Sequence, residues 1–98
     1  VVTGMGVISP VGNDIDSFWN TLTAGKNGVG MITRFAAADQ KVKVAGEVKD
    51  FDPLQYIEKS QVRKMDLFTQ YAMAAAAQAM QDSGLKSGEN IVAERLGV

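Results

Sequence analysis

Apolar side chains recur at helical spacing in two stretches of the chain and at strand spacing in a third. In the first, Ile15, Phe18, Trp19 and Leu22 fall at i, i+3, i+4 and i+7, the apolar stripe of an amphipathic helix. Asn13 or Asp14 stands where such a helix needs its cap, Asp16 complements the dipole in the first turn, and Gly25 can stop it as C′. The stripe is expected to be buried, Trp19 included. The second stretch runs from Asp66, a candidate cap, to Gly84. Phe68, Ala72, Ala75, Ala76 and Ala79 mark one face, Met73, Ala77 and Met80 lie close by, and alanine fills positions 74 to 77. A helix that is apolar nearly all round, with small side chains that let other backbones approach, is expected to be buried and closely packed. Met65, Met73 and Met80 are expected in its core contacts.

Strand spacing appears at Val42 to Lys49, where Val42, Val44 and Val48 face one way and Lys43, Glu47 and Lys49 the other, the pattern of a strand wet on one side. Val1 to Thr3 reads as the end of a buried strand, and "ERLGV" at the end as the entry of another. Residues 4 to 13 form a loop, residues 26 to 40 are glycine-punctuated with an apolar patch at Met31, Ile32 and Phe35, and Asp52-Pro53 opens a short helix through about Glu58. Asp50 and Asp52 therefore read as loop and cap residues rather than as an acid–base pair. The class is α/β. A chain of 98 residues has few elements with which to surround its alanine-rich helix. With both ends in expected core strands and Val1 in place of a methionine, the sequence reads as the opening piece of a larger protein.

Composition narrows the chemistry. Hydrophobic residues make up 46% and charged residues 21%, ordinary globular values, and the net charge of −1 offers no basic field for nucleic acid or an anionic membrane. No apolar run reaches the roughly 18 residues of a spanning helix, and no signal-peptide pattern is present. There is no cysteine and no histidine. Thiolate metal sites, disulfides and Cys-His or Ser-His nucleophile pairs are thus unavailable to these residues by themselves.

The glycine turn in "VVTGMGVISPVG" invites a nucleotide reading and does not support it. A dinucleotide fingerprint needs a third glycine that opens a helix. Here Ser9 and Pro10 intervene, and the helix waits until about Asp14. A Walker motif fails as well, because Gly25-Lys26 is followed by Asn27. The turn is expected to be structural, its glycines allowing positive φ or close packing.

Four segments in order, "VVTGMGVISPVGN", "FW..L.AGK.GV..ITRF", "VAGEVKDFDP" and "RKMD.F.QYA..AA.QAMQDSGL", resemble the N-terminal segment of the β-ketoacyl-[acyl-carrier-protein] synthase II family, with no obvious gap from Val1 to Val98. Polyketide ketosynthase domains share the glycine turn and the Phe-Trp helix but differ at the third and fourth segments, and synthase I enzymes diverge at "SPVG" and "KDFDP". The resemblance implies the N-terminal part of a thiolase-like fold, layered α-β-α-β-α and incomplete in residues 1–98, with the rest of that domain and a C-terminal domain in further chain. It implies a cytoplasmic homodimeric acyltransferase of fatty-acid biosynthesis. Such an enzyme elongates an acyl thioester by decarboxylative Claisen condensation with malonyl-acyl carrier protein, using a cysteine thiolate and two histidines and no cofactor or metal. None of those catalytic groups can be placed here, so the 98 residues by themselves are expected to be inert.

The resemblance does place one partner site. Lys59, Arg63 and Lys64 are cations with no acid among them, between Glu58 and Asp66, and Lys59 and Arg63 share a helical face at i, i+4. The Arg63-Lys64 pair before Met65-Asp66 matches the family's docking residues for the acidic acyl carrier protein, while Ser60 stands where some members carry a further lysine. Solvated surface charge is the plain alternative for this cluster. For the whole protein the alternatives are a discrete polyketide ketosynthase, a non-catalytic chain-length-factor partner, and an independent small α/β binding module.

Overall fold

Asp14 decides where the first helix begins. Its carboxylate accepts from the Ser17 amide at 2.8 Å and the Ser17 hydroxyl at 2.9 Å, and helix α1 runs Ile15–Thr23 behind it. Asn13 is not the cap: its side-chain amide donates instead to the Lys49 carbonyl at 2.7 Å. Ala24 closes the helix and Gly25 follows with φ +67°, the left-handed conformation expected of C′. The computed structural model describes all 98 residues and divides them into two units. One is Val7–Asp52, which holds α1, and the other joins Val1–Gly6 to Pro53–Val98.

Within Val7–Asp52 the apolar stripe of α1 is only partly covered. Ile15 and Phe18 are half-buried, whereas Trp19 and Leu22 are exposed, against the expectation for Trp19. Ahead of the helix, Ser9 and Gly12 exchange backbone hydrogen bonds across Pro10-Val11 at 2.9 and 3.3 Å, and the Ser9 hydroxyl reinforces the turn. The expected strand over Val42–Lys49 shrinks to β2, Val44–Ala45, paired antiparallel with β1, Gly30–Met31, in the register Gly30↔Ala45 and Met31↔Val44. One more bond, Ile32 amide to Lys43 carbonyl, extends the ribbon. The ladder stops where the Glu47 carboxylate takes the amides of Thr33 and Arg34, at 3.1 and 3.2 Å, and the Thr33 hydroxyl at 2.8 Å. The Arg34 amide, which this register would pair with Lys41, is thus claimed by a side-chain acceptor. Val42 and Val44, expected to face inward, are exposed.

In the other unit, Pro53–Gln55 forms a single 3₁₀ turn rather than a helix reaching Glu58, and α2, Lys59–Val62, starts afresh behind Glu58. Helix α3 spans Leu67–Ser83; Asp66 occupies its cap position without a side-chain hydrogen bond, and Gly84 ends it at φ +66°. The covered side of α3 is only in part the expected one. Gln70 and Ala74 are buried and Tyr71, Ala75, Gln78 and Ala79 half-buried, whereas Phe68, Ala72 and Ala76 are open. The cover comes from the 3₁₀ segment and from the extended Val1–Gly6 stretch, and Ile57 and Ala74 are the buried apolar residues of the unit. Met73 and Met80 are exposed and Met65 half-buried, so the methionines do not form the expected core.

Neither expected terminal strand forms. Val1–Thr3 has no ladder partner, and "ERLGV" begins in a 3₁₀ turn at Ala93–Arg95. The physical reason is the same at both ends: a strand needs a neighbour to take its backbone groups, and these 98 residues supply none there. Only Ile57 and Ala74 are buried apolar residues while large ones such as Trp19, Phe35 and Phe68 are exposed, which weighs against a self-sufficient small binding module.

Candidate functional site

The glycine turn is a packing device. Gly4 and Gly6 lie against the backbone of α3: a Cβ on Gly6 would collide with the Ala75 carbonyl oxygen and come within 2.7 Å of Gln78 Cβ, and one on Gly4 would collide with the Ala79 carbonyl. Neither glycine has positive φ, so of the two roles open in the sequence, close packing is the one used. Between them, the Met5 amide donates to the Asp82 carboxylate at 2.9 Å. The backbone face that a phosphate would need is therefore occupied by a helix.

The cationic cluster sits on and just beyond α2. Lys59 is the first residue of the helix, Arg63 is its C-cap with φ −67° and ψ −17°, and the Lys64 amide donates to the Gln61 carbonyl at 2.9 Å. Arg63 keeps helical dihedrals, so the i, i+4 relation to Lys59 survives in a helix of four residues. Lys59, Ser60 and Arg63 together line a shallow concavity of about 300 Å³; Lys64 stands outside that lining. All three cations are exposed, and none is tied into an ion pair. Ser60 adds a hydroxyl rather than a charge to that lining.

The segment that carries these cations is held from below by a residue that sequence reasoning passed over. Gln70, buried on α3, donates from Nε2 to the carbonyls of Val62 at 3.3 Å and Met65 at 3.1 Å. Eight residues on, Gln78 donates to the Tyr56 hydroxyl at 3.1 Å. Gln70, Ala74 and Gln78 lie on one face at i, i+4 and i+8, so two amides in an otherwise apolar run were the available signal.

In Val7–Asp52 a second concavity, about 570 Å³, is lined by residues that include Met31, Thr33, Arg34, Glu47, Lys49 and Asp50. Its Thr33, Arg34 and Glu47 groups are engaged with one another or with backbone. The hydrogen bond from the Thr33 hydroxyl, followed by those from the Thr33 and Arg34 amides and the nearby Arg34 charge, lowers the Glu47 pKa, and Arg34 donates to the Val48 carbonyl at 3.2 Å. Asp50 takes φ +54° in a bend, the expected loop position.

The mixed set of helices and few strands, with a glycine turn pressed on an alanine-rich helix, is a partial thiolase-like fold. The family model described as "Beta-ketoacyl synthase, N-terminal domain" matches residues 1–98, and the chain belongs to that family. Among curated relatives, the 3-oxoacyl-[acyl-carrier-protein] synthase 2 of Vibrio cholerae is 50% identical, that of Coxiella burnetii 48% and that of Staphylococcus aureus 45%, each over the whole of this chain. The chain spans 23–24% of the length of those relatives. Among solved structures, "The ishigamide ketosynthase/chain length factor" superposes with a TM-score of 0.79 at 40% identity, covering 88% of this chain and 21% of that one.

Proposed function

We propose that these residues belong to a 3-oxoacyl-[acyl-carrier-protein] synthase of the synthase 2 type, an acyltransferase of fatty-acid chain elongation. The observation that carries the reading is identity of 44–50% along the full 98 residues to proteins of that name. In the whole enzyme a cysteine thiolate takes the acyl group from its carrier thioester and releases the carrier's thiol. Malonyl-acyl carrier protein then loses CO₂, and the carbanion attacks the acyl-cysteine carbonyl. The new carbon–carbon bond leaves a 3-oxoacyl thioester on the carrier and returns the thiolate. Residues 1–98 hold neither cysteine nor histidine, so nucleophile and imidazoles come from other parts of the polypeptide, and this segment by itself is inert. We place the enzyme in the cytoplasm as a homodimer without a metal or cofactor, with residues 1–98 forming part of its N-terminal domain. No helix in these residues is long and apolar enough to cross a membrane.

The contribution of this segment is to receive the carrier. Lys59, Arg63 and Lys64 are exposed and unpaired, and the concavity between Lys59 and Arg63 offers a seat for carboxylates of an acidic partner. The test is charge reversal at Arg63 and Lys64 in the full-length protein. KM for acyl-carrier substrate should rise and become less sensitive to salt, while a small acyl thioester is turned over as before. Equal loss with both substrates would assign the pair a structural role.

One observation favours a second reading. The ishigamide ketosynthase/chain length factor gives the fold match, which suits a discrete polyketide ketosynthase or its non-catalytic partner. Incubating the full-length protein with acyl- and malonyl-carrier protein separates a condensing enzyme from the non-catalytic partner: 3-oxoacyl product supports the former and absence of condensation the latter. Preference for saturated acyl over 3-oxoacyl primers separates the elongating enzyme from a polyketide ketosynthase.

A further inference from the structure

We infer that Gln70 is a positioning residue for carrier docking: its side-chain amide fixes the backbone on both sides of Arg63-Lys64 and so sets where those two charges are presented. The inference rests on the docking reading above and adds a residue to it that never meets the carrier. Val62 and Met65 are the residues immediately before and after the basic pair, and the two N–H groups of Gln70 Nε2 reach both of their carbonyls, at 3.3 and 3.1 Å. Gln70 is itself 9% exposed and rooted in α3, its own amide bonded to the Asp66 carbonyl at 3.1 Å. It therefore ties the Arg63-Lys64 segment to a helix of 17 residues.

The tie matters because α2 cannot hold the pair by itself. A helix of four residues is far below the length that is stable in isolation. The remaining bonds at this bend are short-range: Lys64 amide to Gln61 carbonyl at 2.9 Å, and Met65 amide to Val62 carbonyl at 3.3 Å. Without Gln70 the Met65 carbonyl loses this buried donor, the bend is free to open towards water, and Arg63 and Lys64 are offered over a range of positions. Binding then has to order them, which weakens docking without touching the chemistry. Arg63 and Lys64 themselves remain charged and exposed throughout.

The experiment uses the full-length synthase with Gln70→Met, which keeps length and volume and removes both donors. The expected result is a rise of about three- to tenfold in KM for acyl-carrier substrate, the scale of one or two lost hydrogen bonds, with kcat and turnover of a small acyl thioester unchanged. Introduced into the Arg63→Glu/Lys64→Glu protein, the same substitution should add little, since the charges it positions are gone. Gln70→Asn, which withdraws the amide by one methylene, gives the same measurement should the methionine variant not fold. Unchanged carrier KM in both Gln70 variants, while charge reversal still raises it, overturns the positioning role and leaves docking intact. Equal loss with carrier and small thioester overturns it in favour of a purely structural role. If charge reversal itself has no carrier-specific effect, the docking reading falls and the positioning role goes with it.

Discussion

Gly6 and Ala75 meet backbone to backbone: the place where a Cβ of residue 6 would stand is filled by the carbonyl oxygen of Ala75 on α3. Helix and extended chain approach this closely only because one partner has no side chain and the other helix is lined with alanine. The same contact recurs one turn on, between Gly4 and the Ala79 carbonyl, with the Met5–Asp82 hydrogen bond between them. The glycine turn and the alanine run, far apart in sequence, are thus two halves of one packing arrangement.

Gly6→Ala in the full-length protein should therefore be costly. The obstructing atoms are backbone, which cannot rotate away, so α3 or the Val1–Gly6 segment must shift; overpacking of this kind costs about 1–3 kcal/mol. Gly30→Ala is the control, because a Cβ there meets nothing within 4 Å and φ is not positive. Chemical denaturation should show a lowered midpoint for Gly6→Ala and a change within about 0.5 kcal/mol for Gly30→Ala. Equal midpoints for the two variants would mean that the close approach does not exist.

A different use of glycine is tested at Gly84. Its φ of +66° closes α3, and open space surrounds the position where a Cβ would stand. Gly84→Ala should cost about 1 kcal/mol through backbone strain alone, with faster amide exchange confined to the last turn, near Asp82 and Ser83. Exchange that rises along all of α3 would contradict a purely local role.

At the start of α1 the prediction concerns the cap. Asp14→Ala removes the acceptor of both Ser17 bonds and should cost about 1 kcal/mol, with Asp14→Ser recovering most of it. Thermal melts of the three proteins check the order: wild type, serine, alanine.

What could be read from the sequence was what local chemistry decides. Asp14, Gly25 and Gly84 mark helix ends because their side chains, or lack of one, act on backbone groups a few residues away. The dismissal of the nucleotide reading was legible for the same reason, since Ser9 and Pro10 visibly delay the helix. The face of α3 was legible only in part. Periodicity reports that a helix is apolar but not which of several apolar faces a neighbour covers. Here Gly4 and Gly6 pack on Ala75, Gln78 and Ala79, Gln70 and Ala74 are buried, and Phe68 and Ala76 stay open. Trp19 and Val44 are exposed for a related reason: patterning identifies a surface fit for burial, and burial itself depends on a partner element. The basic cluster was legible as charge and by family resemblance. Its support by Gln70 was hidden, because a buried glutamine and a solvated one look alike in sequence.

The last prediction follows from the way Glu47 ends the β1–β2 ribbon. Its carboxylate accepts from the Thr33 hydroxyl and from the Thr33 and Arg34 amides, and these bonds, with the Arg34 charge, favour the ionised form and lower its pKa. A carboxyl group whose pKa is lower folded than unfolded contributes stability above its unfolded value, about 4.3, and that contribution disappears as pH falls through the folded value. Protection of the Thr33 and Arg34 amides should therefore hold at pH 6 and decline as the solution is taken below about pH 4.3. Glu47→Gln keeps an acceptor but not the charge, so it should show weaker protection at pH 6 and little change on acidification. Glu47→Ala should lose the clasp at every pH. Hydrogen exchange on the peptide covering Met31 to Phe35, compared at pH 6 and pH 3 with intrinsic rates corrected, reads all three. Matching protection in wild type and Glu47→Ala at pH 6 would show that the ribbon ends for another reason, and that the side chain merely occupies space beside it.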